Sequence, residues 1–177
     1  MAALFLASPA REAQHALKAL RFSNADTDWI VGLIEAWRTV GADMEWTLVS
    51  NQSPSDATVR RWVAGAGRLR IPTLLRLAAA RWAATRAGGG VAPTAAQVRA
   101  LYRRAIRSAF HDAVQLSDLA VDGTDLVEGG IAHGPLVGAM LRRLLAVVVE
   151  DQSLNVRDRL LDLARQWASE PSPDLGA

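Results

Sequence analysis

Residues 94–114 read TAAQVRALYRRAIRSAFHDAV. Thr94 carries a side-chain oxygen suited to a helix N-cap, and no Gly or Pro interrupts the residues after it. Val98, Leu101, Tyr102, Ala105 and Ala109 recur at helical spacing, while Arg99, Arg103, Arg104 and Arg107 take another side. At ~100° per residue the two faces lie roughly 140° apart. The spacing therefore predicts an amphipathic helix from Thr94 to about Val114, burying one face and presenting the arginines on the other.

Similar punctuation runs outward in both directions. Ser8–Pro9 reads as an N-cap and an N1 proline for a helix to about Phe22. Ser23–Asn24 caps the next, with Asp26 and Asp28 in its first turn, an apolar stripe at Trp29, Leu33, Ala36, Trp37 and Val40, and Gly41 as the expected C′ residue. Ser53–Asp56 starts a helix through Val63 that ends at Gly65–Gly67. Ile71–Pro72 opens another, carrying Leu74, Leu75, Ala78 and Trp82 and closed by Gly88–Gly90. Asp122–Leu126 turns into a short helix stopped by Gly129–Gly130. Gly134–Pro135 starts a helix whose apolar residues, Leu136 to Val148, cover most of its circumference and predict a central, largely buried element. Asn155 is expected to cap a last helix with Val156, Leu160, Leu163 and Trp167 on one stripe. No run alternates with period two between hairpin signals, so the fold class is all-α, a multi-helix bundle of about seven to nine helices. The expected organisation is an N-terminal helical segment 1–50, an Arg-rich segment 51–113, a C-terminal segment 114–170 and a disordered tail 171–177.

The chain has 177 residues, half of them hydrophobic, which is enough for a sizeable core in one domain or two small helical lobes. The absence of Cys excludes a disulfide scaffold, a Cys-ligated zinc or iron–sulfur site and a thiol nucleophile. Apolar stretches such as Leu144–Val149 are too short to cross a bilayer, and Met1–Ala10 lacks the basic start of a signal peptide. The composition predicts a soluble protein of the cytoplasm with no membrane partner.

Charge is segregated. Residues 1–56 carry four basic and seven acidic groups, residues 57–111 eleven Arg and no acid, and residues 112–177 five basic and eleven acidic groups. Eleven guanidinium groups without a local acid create a concentrated positive field, and the planar fork of Arg matches phosphate oxygens. A phosphate-rich partner is one reading. The other is that the acidic flanks neutralise the block once the chain folds.

No catalytic constellation accompanies the arginines. His15, His111 and His133 are far apart, and His111–Asp112 has no second His/Asp set, so no metal site is expected. Asp26-x-Asp28 has the spacing of a two-metal carboxylate pair, but it sits in a helical first turn, where the dipole alone favours acids. The Gly65–Gly67 and Gly88–Gly90 clusters follow no strand and precede no Lys, so they are loops and not phosphate cradles. Asp122 and Asp125 read as turn and capping groups. The six Trp residues read mainly as core, with Trp62, after Arg60–Arg61, as the best candidate for base stacking.

Several phrases in order resemble the C-terminal half of bacterial tRNA nucleotidyltransferases, the CCA-adding enzymes and the related poly(A) polymerases. They are Leu20–Arg21–Phe22–Ser23–Asn24, Asp56–Ala57–Thr58–Val59–Arg60–Arg61, the DLAVDGTDL of 118–126, the GGIAHGPLVG of 129–138, and Asn155–Val156–Arg157. The likeness extends from about Leu17 to Trp167. It implies a helical body and tail that support a catalytic head and hold the tRNA acceptor arm and elbow. That head, with its Gly-rich turn and paired metal-binding Asp residues, has no counterpart here, and neither has the neck that selects the nucleotide or an HD-type segment. Mg2+ and nucleotide would belong to that head, so this chain is expected to hold no cofactor and no catalytic residue. It looks like an excised domain of a larger enzyme or a stand-alone relative.

Residues and resemblance together lead to the expectation of an RNA-binding module that takes tRNA or another structured RNA. It would bind through Arg60, Arg61, Arg68, Arg70, Arg99, Arg103, Arg104 and Arg107. Its own catalytic head or a second copy are further expected partners. The alternative expectation is a helical protein-interaction or assembly module that binds no RNA.

Overall fold

Small hydroxyl residues begin the helices where the apolar period starts. Ser23 Oγ accepts from the Asp26 N–H at 3.0 Å, and Ser55 Oγ accepts from the Thr58 N–H at 3.0 Å. Thr94 and Gln97 close a reciprocal pair: Thr94 N–H donates to Gln97 Oε1 at 2.8 Å, and Gln97 N–H donates to Thr94 Oγ1 at 3.3 Å. The computed structural model describes residues 5–6 and 8–169. About three-quarters of these are helical and none forms a strand, so the fold is all-α. The α-helical segments are α1 (Ala10–Ala19), α2 (Asn24–Ala36), α3 (Ala42–Val49), α4 (Asp56–Ala66), α5 (Ile71–Ala87), α6 (Ala95–His111), α7 (Gly123–Glu128), α8 (Pro135–Glu150) and α9 (Arg157–Ser169). No helix among the described residues is long and apolar enough to cross a membrane. The expected disordered tail at 171–177 lies outside the described residues.

The chain separates into two compact units, Met1–Phe110 and His111–Ala177. In the first, α2 packs against α1, α4 and α5. Its core is built from Leu17, Ile34, Met44, Val59, Val63, Ile71, Leu74, Leu75 and Trp82, all essentially inaccessible. Burying each such side chain contributes roughly 1.5–3 kcal/mol.

Gly41 is not a helix end. A π-turn over Trp37–Gly41 carries α2 directly into α3. A Cβ at position 41 would lie 2.6–2.9 Å from ring atoms of Trp37, so the glycine makes room for the indole of the residue one turn earlier. The extra residue in the turn shifts the buried stripe round by about 100° and brings Met44 and Leu48 into the core. In an open helix Gly→Ala is stabilising by up to about 1 kcal/mol. Here Gly41→Ala is expected to destabilise by about 1–3 kcal/mol, because the Trp37 ring must move within a packed core. Urea denaturation followed by Trp fluorescence checks the sign. A gain in stability would show that the ring has space to yield.

The first unit departs from expectation at two other helix ends. Pro9 itself occupies the N-cap position of α1, with no side-chain cap, so Ser8 does not cap it. At its far end α1 stops at Ala19, where Arg21 takes φ 59° and Phe22 N–H donates to Leu17 O at 3.1 Å. The same left-handed closure ends α3 at Asn51, φ 55°, with Gln52 N–H on Thr47 O at 3.2 Å.

The second unit is built around the contacts of α8 with α7 and α9. Asp122 caps α7, its carboxylate accepting from Thr124 and Asp125 N–H while Asp125 accepts from the Asp122 N–H. This bond and the Arg157 guanidinium at 2.7 Å hold the Asp125 carboxyl below the usual carboxylate range. Gly123 is packed, not turned: a Cβ there would meet Val137 at 3.1 Å. Gly134 has φ 56° and ψ −132°, a conformation left to glycine, and lets Pro135 open α8.

Three expectations for this unit are corrected. The helix from Thr94 ends at His111, and the backbone N–H groups of Ala113 and Val114 turn instead to Gln152 Oε1 and Asp118 Oδ2. Helix α8 is not buried all round: only Leu144, Val148 and Val149 are buried, and Leu136 is 67% exposed. Asn155 does not cap α9. Its side-chain amide bridges to Ala120 N–H (2.8 Å) and Asp118 O (2.9 Å), fastening the 118–120 strap.

Candidate nucleic-acid interface

Helix α6 buries Val98, Leu101, Ala105, Ser108 and Ala109. That fixes its rotation and leaves Arg99, Arg103 and Arg107 exposed on one row. Their Cα atoms step along the axis by about 6 Å with a sideways drift of about 40° per step. None of the three makes an ion pair or hydrogen bond among the described residues.

Arg104 stands beside this row and points another way. Its Nη2 lies 2.6 Å from Asp56 Oδ1, and its side chain is 35% exposed against 80% for Asp56. The hydrogen bond and charge of Arg104, with weaker pulls from Arg60 and Arg107, hold the Asp56 carboxyl below its ordinary range against a small opposing effect of burial. Arg60, Arg104 and Arg107 thus converge on the first turn of α4. Arg61, also on α4, is exposed and donates to Thr58 Oγ1 at 3.0 Å.

Arg68 and Arg70 lie beyond the other end of α4, about 16 Å along its axis. Arg70 faces α2: its guanidinium sits 5.7 Å from the Trp29 ring centroid, on the space that a Cβ at Gly32 would fill. Of the eight arginines expected to bind RNA, Arg68 and Arg70 therefore do not continue the α6 row. Elsewhere in the acid-free block, Arg81 lies over Trp37 at 5.6 Å and Arg86 donates to Pro93 O.

The two readings of the basic block divide by residue. Neutralisation by the flanks holds at Arg104, paired with Asp56, the last acid of the 1–56 block, at the start of α4. It does not hold at Arg99 and Arg103, and Arg107 feels Asp56 only at longer range, without an ion pair.

Asp56 is ionised wherever its folded-state pKa, lowered by Arg104, lies below the ambient pH. The stabilisation it lends is present above the ordinary carboxylate range and is lost as pH falls through the lowered value. At neutral pH it therefore stands as an anion among three cations, where it would repel any anion that approached them. Asp56→Asn is expected to tighten polyanion binding, by about fivefold or less for one charge at contact distance in water. A filter-binding titration of parent and variant at one salt concentration checks it.

Trp62 is not a stacking platform. It is 3% exposed, and its indole N–H donates to Asp43 Oδ2 at 2.6 Å. The accessible indole is Trp46, 72% exposed on α3, with Trp29 partly accessible. No group of three or more His, Asp or Glu side chains suited to a metal ion converges among the described residues. Compared with protein-family models, curated proteins and solved structures, the chain matches none.

Proposed function

We propose that this chain is an RNA-binding helical body of the tRNA nucleotidyltransferase and poly(A) polymerase type, supporting 3′-end nucleotide addition by a catalytic head that lies outside the sequence. The observation that carries it is the exposed Arg99–Arg103–Arg107 row, none of whose side chains forms an ion pair among the described residues, with Asp56 acting on Arg107 only at longer range. The phrases DLAVDGTDL and GGIAHGPLVG support the choice of family. Contacts of this kind grip phosphates without reading bases, which suits recognition of tRNA by shape. A cytoplasmic location goes with this reading.

The test is a titration with tRNA at several salt concentrations. If three to five phosphates are neutralised, log K should fall against log salt with a slope of roughly −2 to −4. No binding at low salt, or binding without a slope, overturns the reading.

A second reading, an assembly module, is favoured by the exposed apolar side chains Trp46, Leu69, Val91, Phe110 and Leu136. Concentration-dependent sedimentation together with no affinity for tRNA would select it.

A further inference from the structure

Next to the α6 row lies a pocket of about 180 Å3, entirely within the first unit. It is smaller than the ~300–1,000 Å3 of sites for drug-sized ligands, and so has room for a single ring system. Leu48, Pro54 and Leu101 give it aliphatic walls, Asn51, Gln52 and Ser53 neutral polar groups, and Arg104 a cation.

The pocket is preformed by the way α3 ends. Asn51 in the left-handed conformation turns the chain, and Leu48 O, which accepts from Asn51 N–H, also accepts from Gln97 Nε2 at 2.8 Å. Gln97 Oε1 is held in turn by Thr94 N–H and Oγ1, both at 2.8 Å. That side chain is fully committed, and it braces α6 against α3. The amide of Gln52 and the hydroxyl of Ser53 make no hydrogen bond among the described residues. Arg104 commits only Nη2, to Asp56.

The chemistry that fits is a flat, uncharged ring with both donors and acceptors on its edge, joined to an anion. Aliphatic walls take the ring faces, the amide and hydroxyl take its edge, and the remaining guanidinium donors take the anion. Ala100 and Arg104 stand about 100° round the helix from Arg99 and Arg103, so the pocket opens on the flank of the exposed row, where a nucleotide turned aside from the phosphate path would enter it. We infer that this pocket receives one unpaired nucleotide of the bound RNA, its base between Pro54 and Leu101 and its phosphate near Arg104. The inference rests on the RNA-binding reading above and adds a base-dependent contact to a phosphate grip that is blind to bases.

The test uses a short single-stranded oligoribonucleotide and a counterpart of equal length and charge with one central abasic position. Two added hydrogen bonds predict that the full oligomer binds about tenfold more tightly. Nucleoside 5′-monophosphate should shift the side-chain amide NMR signals of Gln52 and Gln97, and inorganic phosphate should not. Ala100→Leu, which fills the mouth, should erase the preference and leave the salt slope unchanged. Gln52→Ala, at an exposed loop residue, should weaken the preference without risk to folding. Equal binding of the two oligomers, or a full preference retained in folded Ala100→Leu or in Gln52→Ala, overturns the pocket while leaving the arginine row standing. Loss of all oligomer and tRNA binding in the parent chain overturns the RNA reading itself.

Discussion

Reversing Arg99, Arg103 and Arg107 to Glu is expected to abolish tRNA binding at moderate salt while leaving the melting temperature nearly unchanged. The binding loss follows from charge. Three phosphate contacts disappear and three repulsions replace them, so affinity near 0.1 M salt should drop by more than about 100-fold. Replacing the same three residues with Ala removes the contacts alone. It should flatten the slope of log K against log salt by about two to three units, close to one for each phosphate released. The unchanged stability follows from exposure. None of the three side chains carries a partner that the fold needs, and solvent-facing substitutions in a helix away from caps cost within about 0.5 kcal/mol each. Electrophoretic mobility shift at two salt concentrations and a thermal melt on the same preparations give the two readouts. Parent-like binding by the Glu variant would remove the row from the interface. Coincident loss of fold and binding would show that the row is structural.

The exposure of the arginine row was legible in the sequence because helical period fixes which residues share a face. Once Val98, Leu101 and Ala105 are assigned to the core, Arg99, Arg103 and Arg107 are forced outward, and the structure keeps them there. Caps were equally legible at Ser23 and Asp122, where one short side chain satisfies nearby N–H groups with no help from distant chain. What failed depends on contacts far apart in sequence. Gly41 has the composition of a helix stop, but the Trp37 ring above it makes it a packing residue, and the helix runs on. Helix α3 starts without a side-chain cap, so Trp46 gains a face, and the pocket its wall, only once that helix has formed. The neighbours Arg60 and Arg61 suggest an outward Trp62, whereas its partner Asp43 is nineteen residues away on α3. Charge alone places Arg68 and Arg70 among the binding arginines, although α4 separates them from the α6 row.

The largest loss of stability is expected from Trp82→Ala. Trp82 lies at 0% exposure on α5, its ring centroid 6.1 Å from that of Trp37 at a tilt of 55°. It therefore ties α5 to the π-turn that sets the α2–α3 rotation. Truncating a buried Trp costs about 3–5 kcal/mol, a large share of the ~5–15 kcal/mol by which a domain is ordinarily stable. One feature works against the full value. The Trp82 indole N–H is buried with no hydrogen-bond partner among the described residues, and relieving an unsatisfied donor returns about 1–3 kcal/mol. Trp82→Phe separates the two effects, since it keeps an aromatic ring against Trp37 and deletes the orphan N–H. Its cost should be far below that of Trp82→Ala, under about 1.5 kcal/mol, because the lost volume and the removed penalty oppose each other. Urea midpoints for the three proteins decide the order. If Trp82→Phe proves as damaging as Trp82→Ala, shape at this site outweighs the polar penalty. The folded fraction of either variant should bind tRNA with the parent salt slope, since the arginine row is untouched. Stability and binding then separate in opposite directions in the two sets of variants, as expected where the core sets the rotation of α6 and only its outer row meets the polyanion.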